Sequence, residues 1–261
     1  VKIIRNILIG ILLVVALIFG LIFYSFSRTI PLKDHQALSG GAFQVKDGMV
    51  SVGIIPSADG QVIMVDCGND RAARAILNAL KQMGLGREAV KTILLTHAHP
   101  DHYAGCTAFP NAGIFAMAAE QSLLEGRTRV RAPIGLLFGK GDSGIRASRY
   151  LQNGDSFQLG KVLVTAYLIP GHTDGSAAYL AAGTLYLGDS ADSAKDGSLL
   201  PAKWFVSNDT AQNRASLINL AEELKLRASE IQFMEFAHSG PLTGIAALLN
   251  FAKNTPGNPP Q

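Results

Sequence analysis

Hydrophobic and polar positions follow different rhythms in different parts of this chain. From Asn6 to Ser27 no residue is charged and no polar stripe interrupts the run, whose centre reads ILIGILLVVALIFGLIFY. At about 1.5 Å per residue a helix of this length reaches the roughly 30 Å hydrocarbon core of a bilayer. A helix buried in a soluble core would keep a polar side, and this run has none. A cleavable signal peptide fits Lys2 and Arg5 ahead of the run and Ser25-Phe26-Ser27 behind it. Its apolar region, however, is usually only about 7–15 residues. The pattern predicts a retained transmembrane anchor over residues 1–27, with cleavage as the alternative. Lys2 and Arg5 lie before the span and Arg28, Lys33 and Asp34 after it. That bias favours a cytoplasmic N-terminus and a domain on the exported side.

After the span, Pro31 and Gly40-Gly41 punctuate an expected tether, residues 28–41. The tail 255–261 (TPGNPPQ) is expected to be disordered. Between them, residues 42–254 form one domain. There the pattern changes back and forth between strand and helix periods. MVSVGII (49–55) and QVIMVDC (61–67) read as strands joined by a Ser-Ala-Asp-Gly turn. TILLT (92–96), VLVTAYLI (162–169), AAYLA and TLYLG (177–188) and EIQFMEF (230–236) read as further strands. Asp70 is placed to cap a helix with Ala73, Ile76, Leu77 and Leu80 on one face. Asp209 or Asn208 is placed to cap another, with Leu217, Leu220, Ala221 and Leu224 inward. Leu242 to Ala252 reads as a final helix. Such alternation predicts an α/β domain layered around a sheet core.

Composition narrows the classes. Hydrophobic residues are 48% and charged residues 16% of 261, against about 25% charged in an ordinary soluble domain, which excludes a disordered chain. A net charge of +3 excludes a strongly basic nucleic-acid binder. Two cysteines are too few for a disulfide scaffold or a four-cysteine zinc site.

The six histidines matter by placement. TILLT runs into His97-Ala98-His99-Pro100-Asp101-His102, and the strand ending at Ile169 runs into Pro170-Gly171-His172. TLYLG runs into Asp189, and the strand ending at Phe236 runs into His238. Apolar strands that all end in imidazole or carboxylate imply one polar rim built over a sheet. Any one of these histidines alone reads as an ordinary core or surface residue; the set does not. Neutral imidazole and carboxylate suit zinc, and also iron or manganese. Five histidines and two aspartates exceed what one zinc needs and would supply two divalent ions, with one carboxylate left to bridge.

With THAHPDH after a hydrophobic strand, then PGHTDGS, LGDS and FAHSG in that order, the sequence resembles the metallo-β-lactamase fold superfamily over about residues 42–253. The resemblance implies a four-layer αββα sandwich with the site at one edge of two sheets. It also implies that His97, His99 and His172 hold the first ion, that Asp101, His102 and His238 hold the second, and that Asp189 bridges them. Asp101 would orient a bridging hydroxide or shuttle its proton. Asp66 matches a family acid that orients ligands from behind. Lactamases of the family usually carry serine or cysteine where this chain has Asp189; the aspartate resembles thioesterases of the glyoxalase II type, lactonases and ribonuclease Z. Only 23 residues follow His238, so the C-terminal helical domain of glyoxalase II is not expected. Neither a flavodoxin domain nor an RNA-holding arm is expected.

The implied activity is hydrolysis of a small ester, thioester or lactone by a membrane-tethered enzyme with no nucleic-acid partner. Phosphodiester or β-lactam hydrolysis, and a non-catalytic metal-binding domain, are the rivals. Residues 127–149 carry six basic side chains against one acid, Asp142. They read first as a solvated face, then as contacts to anionic lipid or an acidic substrate. Ile134, Leu136, Leu137 and Phe138 beside them fit a lid or membrane-facing loop. Cys67 and Cys106 are expected as buried thiols, with a disulfide as the alternative. Trp204 and Phe205 read as core or as a pocket wall.

Overall fold

The computed structural model describes residues 2–58, 60–131, 133–136 and 141–255. The tail beyond residue 255 and the expected loop residues Leu137, Phe138 and Lys140 lie outside them. Helix α1 (Lys2–Ser27) carries the apolar run and stands away from the core, its window of highest hydropathy unburied. It is long and apolar enough to cross a membrane.

The first sheet takes strands in chain order: β1 (Gln36–Ala37), β2 (Phe43–Asp47), β3 (Val50–Ala58), β4 (Gln61–Val65), β5 (Val90–Leu94), β6 (Gly113–Met117) and β7 (Arg149–Leu151). β1 to β4 pair antiparallel, and β4 to β7 parallel. Next come β8 (Ser156–Leu159), β9 (Val162–Leu168), β10 (Ala177–Ala181) and β11 (Thr184–Tyr186). A separate ribbon of β12 (Ala191–Ser193) and β13 (Leu199–Pro201) precedes β14 (Phe233–Phe236) and β15 (Ser239–Thr243). The second sheet has the order β15-β14-β11-β10-β9-β8.

Period-two alternation decides which way each side chain goes. In β4, Val62 and Met64 face outward to helix α2 (Arg74–Gln82), while Ile63 and Val65 face the second sheet. In β10, Ala177, Tyr179 and Ala181 face the first sheet, while Ala178 and Leu180 face outward. The short helices α3 (Pro100–Tyr103) and α4 (Gln121–Leu124) lie in loops of the first half. Helices α5 (Thr210–Leu224) and α6 (Ala246–Asn254) cover the outer face of the second sheet through Leu217, Leu220, Leu224 and Leu248. The result is the expected αββα sandwich. Where both faces are buried, as along β10 and most of β4, a strand reads as a continuous apolar run.

Several local expectations change. Asp209 caps α5, accepting from Gln212 N at 2.9 Å. The residue before α2 is Ala73, in the left-handed region (φ 49°), rather than Asp70. Asp70 still accepts from Arg74 N of the first turn (3.3 Å), as well as from Ala72 N and Arg74 Nε. The last helix starts at Ala246 rather than Leu242, because Leu242 pairs with Met234 in the β14–β15 hairpin. Residues 28–41, expected as a tether, are woven into the domain. Thr29 bridges to Ala194, Ile30 N donates to Ser193 O, and Gly240 N donates to Ile30 O.

Cys67 and Cys106 are joined in a disulfide, not left as thiols, with Cα atoms 5.1 Å apart. The turn that carries His102 brings them together, since Cys67 N donates to His102 O.

Candidate metal centre

Four strand ends of the two sheets build the centre. After β5 the chain leaves the sheet at Thr96 and enters α3, with His99 as the residue before the helix and Pro100 at its first position. His172 follows β9, Asp189 follows β11, and His238 occupies the turn from β14 to β15. Gly171 (φ 130°) has no room for a side chain against the Asn213 backbone, so the turn delivering His172 requires glycine.

All seven predicted residues come together. His97, His99, His172 and Asp189 form one group with ligand-type atoms within 4.8 Å of one another, and Asp101, His102 and His238 form a second. His172 Nε2 lies 3.0 Å from both His97 Nε2 and His99 Nδ1. Asp189 reaches both groups, with its oxygens 3.2 Å from His102 Nε2, 3.2 Å from His238 Nε2 and 3.6 Å from His172 Nε2. His238 Nε2 is 3.3 Å from Asp101 Oδ2.

Hydrogen bonds behind the rings fix which nitrogen faces inward. Met49 O and Asp66 Oδ2 can only accept, so His238 Nδ1 and His102 Nδ1 donate to them, at 2.7 and 2.8 Å. Thr96 Oγ1 donates to Asp66, and Ser207 Oγ donates to Lys203 O. Each hydroxyl therefore accepts from a ring, Thr96 from His97 Nδ1 and Ser207 from His172 Nδ1, both at 3.1 Å. Four rings thus turn their Nε2 atoms toward the centre.

This donor set fits metal ions. One ring nitrogen cannot hydrogen-bond two neighbours in its plane at once, yet His172 Nε2 has two at 3.0 Å. Nitrogens sharing a tetrahedral ion at about 2.0–2.1 Å would stand roughly 3.3 Å apart. His102 Nε2 and Asp189 Oδ1 are buried and, though 3.2 Å apart, make no well-directed hydrogen bond to each other or to another described residue. The charges agree. Burial, with the neighbouring rings, holds His97 well below the usual imidazole range, and burial holds His99 at about 4, so both stay neutral. Burial opposes protonation of His102 as well, but Asp101, Asp189 and Asp66 outweigh it and hold the ring well above its usual range. His238, likewise desolvated but beside Asp189 and Asp101, is pushed up to about 10. The carboxylates therefore draw positive charge to the place where ions would sit.

Asp66 itself stands in the left-handed region (φ 62°), which an aspartate tolerates at some cost. From there it receives Thr96 N, Thr96 Oγ1 and His102 Nδ1 at 2.7, 2.7 and 2.8 Å. One further residue gave no sequence signal. Buried Glu120 accepts from Ala98 N (2.7 Å), Thr173 Oγ1 (2.9 Å) and Gly175 N (2.8 Å), bracing the loops of His97, His99 and His172. A lone acid following the apolar GIFAM stretch has no motif; only its position beyond a strand end marks it. Trp204 is 44% exposed and Phe205 is buried. Three of the basic residues pair with acids: Arg131 with Asp174, Arg146 with Asp142 and Arg127 with Glu125.

A family profile described as the metallo-beta-lactamase superfamily matches residues 45–224. Hydroxyacylglutathione hydrolase of Xanthomonas axonopodis pv. citri is 31% identical over 162 residues, covering 62% of this chain and 54% of its own length. The protein of the same name from Albidiferax ferrireducens is 35% identical over 156 residues, covering 57% and 51%. The matched stretch thus spans about half the length of these curated relatives. A solved B3 metallo-β-lactamase with an active-site glutamic acid superposes with a TM-score of 0.64 at 19% identity, over 88% of this chain and 90% of its own. A metallo-β-lactamase family protein from Thermus thermophilus superposes with a TM-score of 0.59 at 25% identity, over 83% and 78%.

Proposed function

The chain belongs to the metallo-β-lactamase superfamily of hydrolases, and from that premise we propose that it is a two-metal hydrolase of ester, thioester or lactone carbonyls. The observation that carries this reading is Asp189, a carboxylate only 9% exposed with oxygens facing His172 in one group and His102 and His238 in the other. His97, His99 and His172 would hold one ion, Asp101, His102 and His238 the other, and Asp189 both. Zinc suits these ligands best, with iron and manganese as alternatives. Ions bound there would supply an activated water and an electrophile for the substrate's carbonyl oxygen.

The chain's own residues do the rest. Asp101 is the most open of the seven, its side chain 36% exposed. Burial works against its charge, but His102 and His238 hold it below the usual carboxylate range. Its Oδ2 is therefore a standing acceptor, placed to orient an attacking water. The His97 and His172 rings, locked by Thr96 and Ser207, cannot turn away. Substrate class rests on leaving-group chemistry and on kinship. An alkoxide or thiolate departs with little protonation, whereas a lactam nitrogen needs help. The curated relatives are named for hydrolysing hydroxyacylglutathione, a thioester.

The site also belongs to a tethered, exported domain on this reading. α1 supports a membrane anchor, and the Cys67–Cys106 disulfide fits an oxidising compartment. The substrate is a small molecule, and no nucleic-acid partner is proposed.

A substrate panel on metal-loaded protein tests the reading. A thioester or lactone should give the highest kcat/KM; a penicillin, carbapenem or phosphodiester that exceeds every carbonyl ester tested would overturn it. Elemental analysis should find about two ions per chain. His172→Ala should deplete mainly the three-histidine site and His238→Ala mainly the other.

A further inference from the structure

The end of α1 is fastened to the rim of the metal centre rather than hung from it by a slack linker. Ile30, three residues past the helix, donates to Ser193 O and accepts from Gly240 N. Ser193 is four residues beyond Asp189, and Gly240 is two beyond His238. At about 3.8 Å per residue, no more than about 15 Å and 8 Å of chain separate this pin from two residues of the centre. Arg28 O also accepts from Lys195 N, so three consecutive residues are held.

A second connection runs through the 203–208 loop. At one end the Phe205 ring meets Phe26 of α1 at 6.0 Å between centroids, and Lys203 Nζ lies 5.0 Å from the centre of the same Phe26 ring. At the other end Ser207 Oγ holds His172 Nδ1 and Asn208 N donates to His172 O. Between them Trp204 stays 44% exposed, stacked edge-on at 5.7 Å from Phe205. Phe26, Phe205 and Trp204 thus form an aromatic group where the apolar helix meets the polar domain, with Tyr24 on the same last turn of α1, which is the level such rings take at a membrane boundary. Cations accompany them. Arg28 lies 5.4 Å from the Tyr24 ring centre, and the segment bearing Arg127, Arg129 and Arg131 reaches the loop through Arg131 N and Asn208 Oδ1 (2.7 Å).

We propose that the rim of the metal centre rests at the membrane surface and that the enzyme takes amphiphilic acyl esters or thioesters from it, with the carbonyl at headgroup level and the acyl chain toward the bilayer. This rests on the hydrolase reading and on α1 spanning the membrane. A helix that crosses the bilayer ends at its interface, and the pinned residues leave no slack to lift the rim away. A substrate whose tail partitions into the bilayer is delivered within about 15 Å of the ligands, whereas a fully soluble one gains nothing from this placement.

Trp204 is the single tryptophan of the chain and reports directly on the arrangement. Full-length protein is reconstituted in phosphatidylcholine vesicles containing phosphatidylglycerol, with a quencher in the headgroup or at mid-chain of the lipid. Trp204→Phe identifies any background emission. The headgroup quencher should remove more than about half of the Trp204 emission and the mid-chain quencher less. Quenching by neither, with emission as in water, overturns the placement regardless of activity. The same vesicles, metal-loaded, are then given acetyl and decanoyl thioesters. The longer chain should be favoured at least roughly tenfold in kcat/KM. Equal or better turnover of the acetyl compound overturns the substrate class while leaving the hydrolase reading intact. No turnover of any ester or thioester sinks that reading and the substrate class with it, and the quenching still decides the placement. Recovery from cells of only a soluble product beginning near Arg28 also overturns the placement.

Discussion

Two buried glutamates show how single residues support this centre. Glu120 uses both oxygens to hold the loop of His97 and His99 and the loop of His172, at a buried position. Glu120→Ala would leave two buried backbone donors, Ala98 N and Gly175 N, unpaired, each worth about 1–3 kcal/mol, while Thr173 Oγ1 keeps Ser176 Oγ at 2.8 Å. Thermal melts should show a large loss of stability, and metal should leave the variant at a lower chelator concentration; Glu120→Gln, which keeps an acceptor, should fall between. Glu235 acts on pH dependence. Burial, despite the hydrogen bond from Ser51, pushes its carboxyl from an ordinary 4.5 up to about 7. In that window the folded chain keeps a proton that the unfolded chain has released. Stability is therefore full below 4.5 and is lost as pH rises through about 7. Glu235→Gln removes the cost of ionising in place. Denaturation measured near pH 5 and near pH 8 should show the variant gaining on the parent by up to roughly 3 kcal/mol at the higher pH. An equal difference at both pH values would contradict the assignment.

At the scale of elements, the ligand-bearing turn around α3 is held from two sides. Asp66 grips it from the end of β4, and the Cys67–Cys106 bridge closes the chain behind it across a separation of 39 residues. Loop-closure entropy assigns such a bridge about 4 kcal/mol. The double variant Cys67→Ser, Cys106→Ser should lose stability of that order in denaturant and release metal first from the Asp101, His102 and His238 group, read by metal content during chelation. That bridge also marks a limit of the sequence, because two cysteines 39 apart carry no sign of their distance in space. The seven site residues are legible for the opposite reason: each follows an apolar strand, so pattern and chemistry coincide. The shorter and edge strands escape the strand pattern, β2, β6, β7, β8 and β15 among them. β6 is GIFAM, in which Ile114 is the one β-branched residue, and β7 is three residues beginning with Arg149. Arg149 lies over the Phe115 and Phe157 rings, at 5.6 and 4.6 Å from their centres, a role its charge conceals in sequence. The sequence pattern starts the final helix too early because Leu242 fits both a helix face and the β15 register, and pairing with Met234 decides between them.

For the whole molecule, the spacing between the two sheets is also the spacing of the metal centre. The first sheet carries His97, His99, Asp101 and His102, and the second carries His172, Asp189 and His238, so each ligand group spans both halves. Ions held there would tie the halves together and stabilise only the folded chain. At about a hundredfold excess over Kd one bound ion contributes about 2.7 kcal/mol. In a chain of this size about 1 kcal/mol moves Tm by roughly 2–4 °C, so chelation should lower Tm by at least 5 °C or so. Gly53 gives a way to alter the spacing far from the rim. A Cβ added there would stand 2.7 Å from Cε1 of Tyr186 and 3.2 Å from Cβ of Val65. Tyr186 is fully buried between the sheets and cannot swing aside, so the sheets must move apart. Such overpacking costs about 1–3 kcal/mol in the chain without metal. Because a wider gap also separates the ligand halves, Gly53→Ala should weaken metal binding as well. The interval in Tm between loaded and stripped protein should then narrow. Leu226→Ala, at a side chain 92% exposed, should change neither quantity. If Gly53→Ala lowers both melting temperatures equally and leaves the interval intact, the rim is insulated from the sheet spacing, and the centre is positioned by its loops alone.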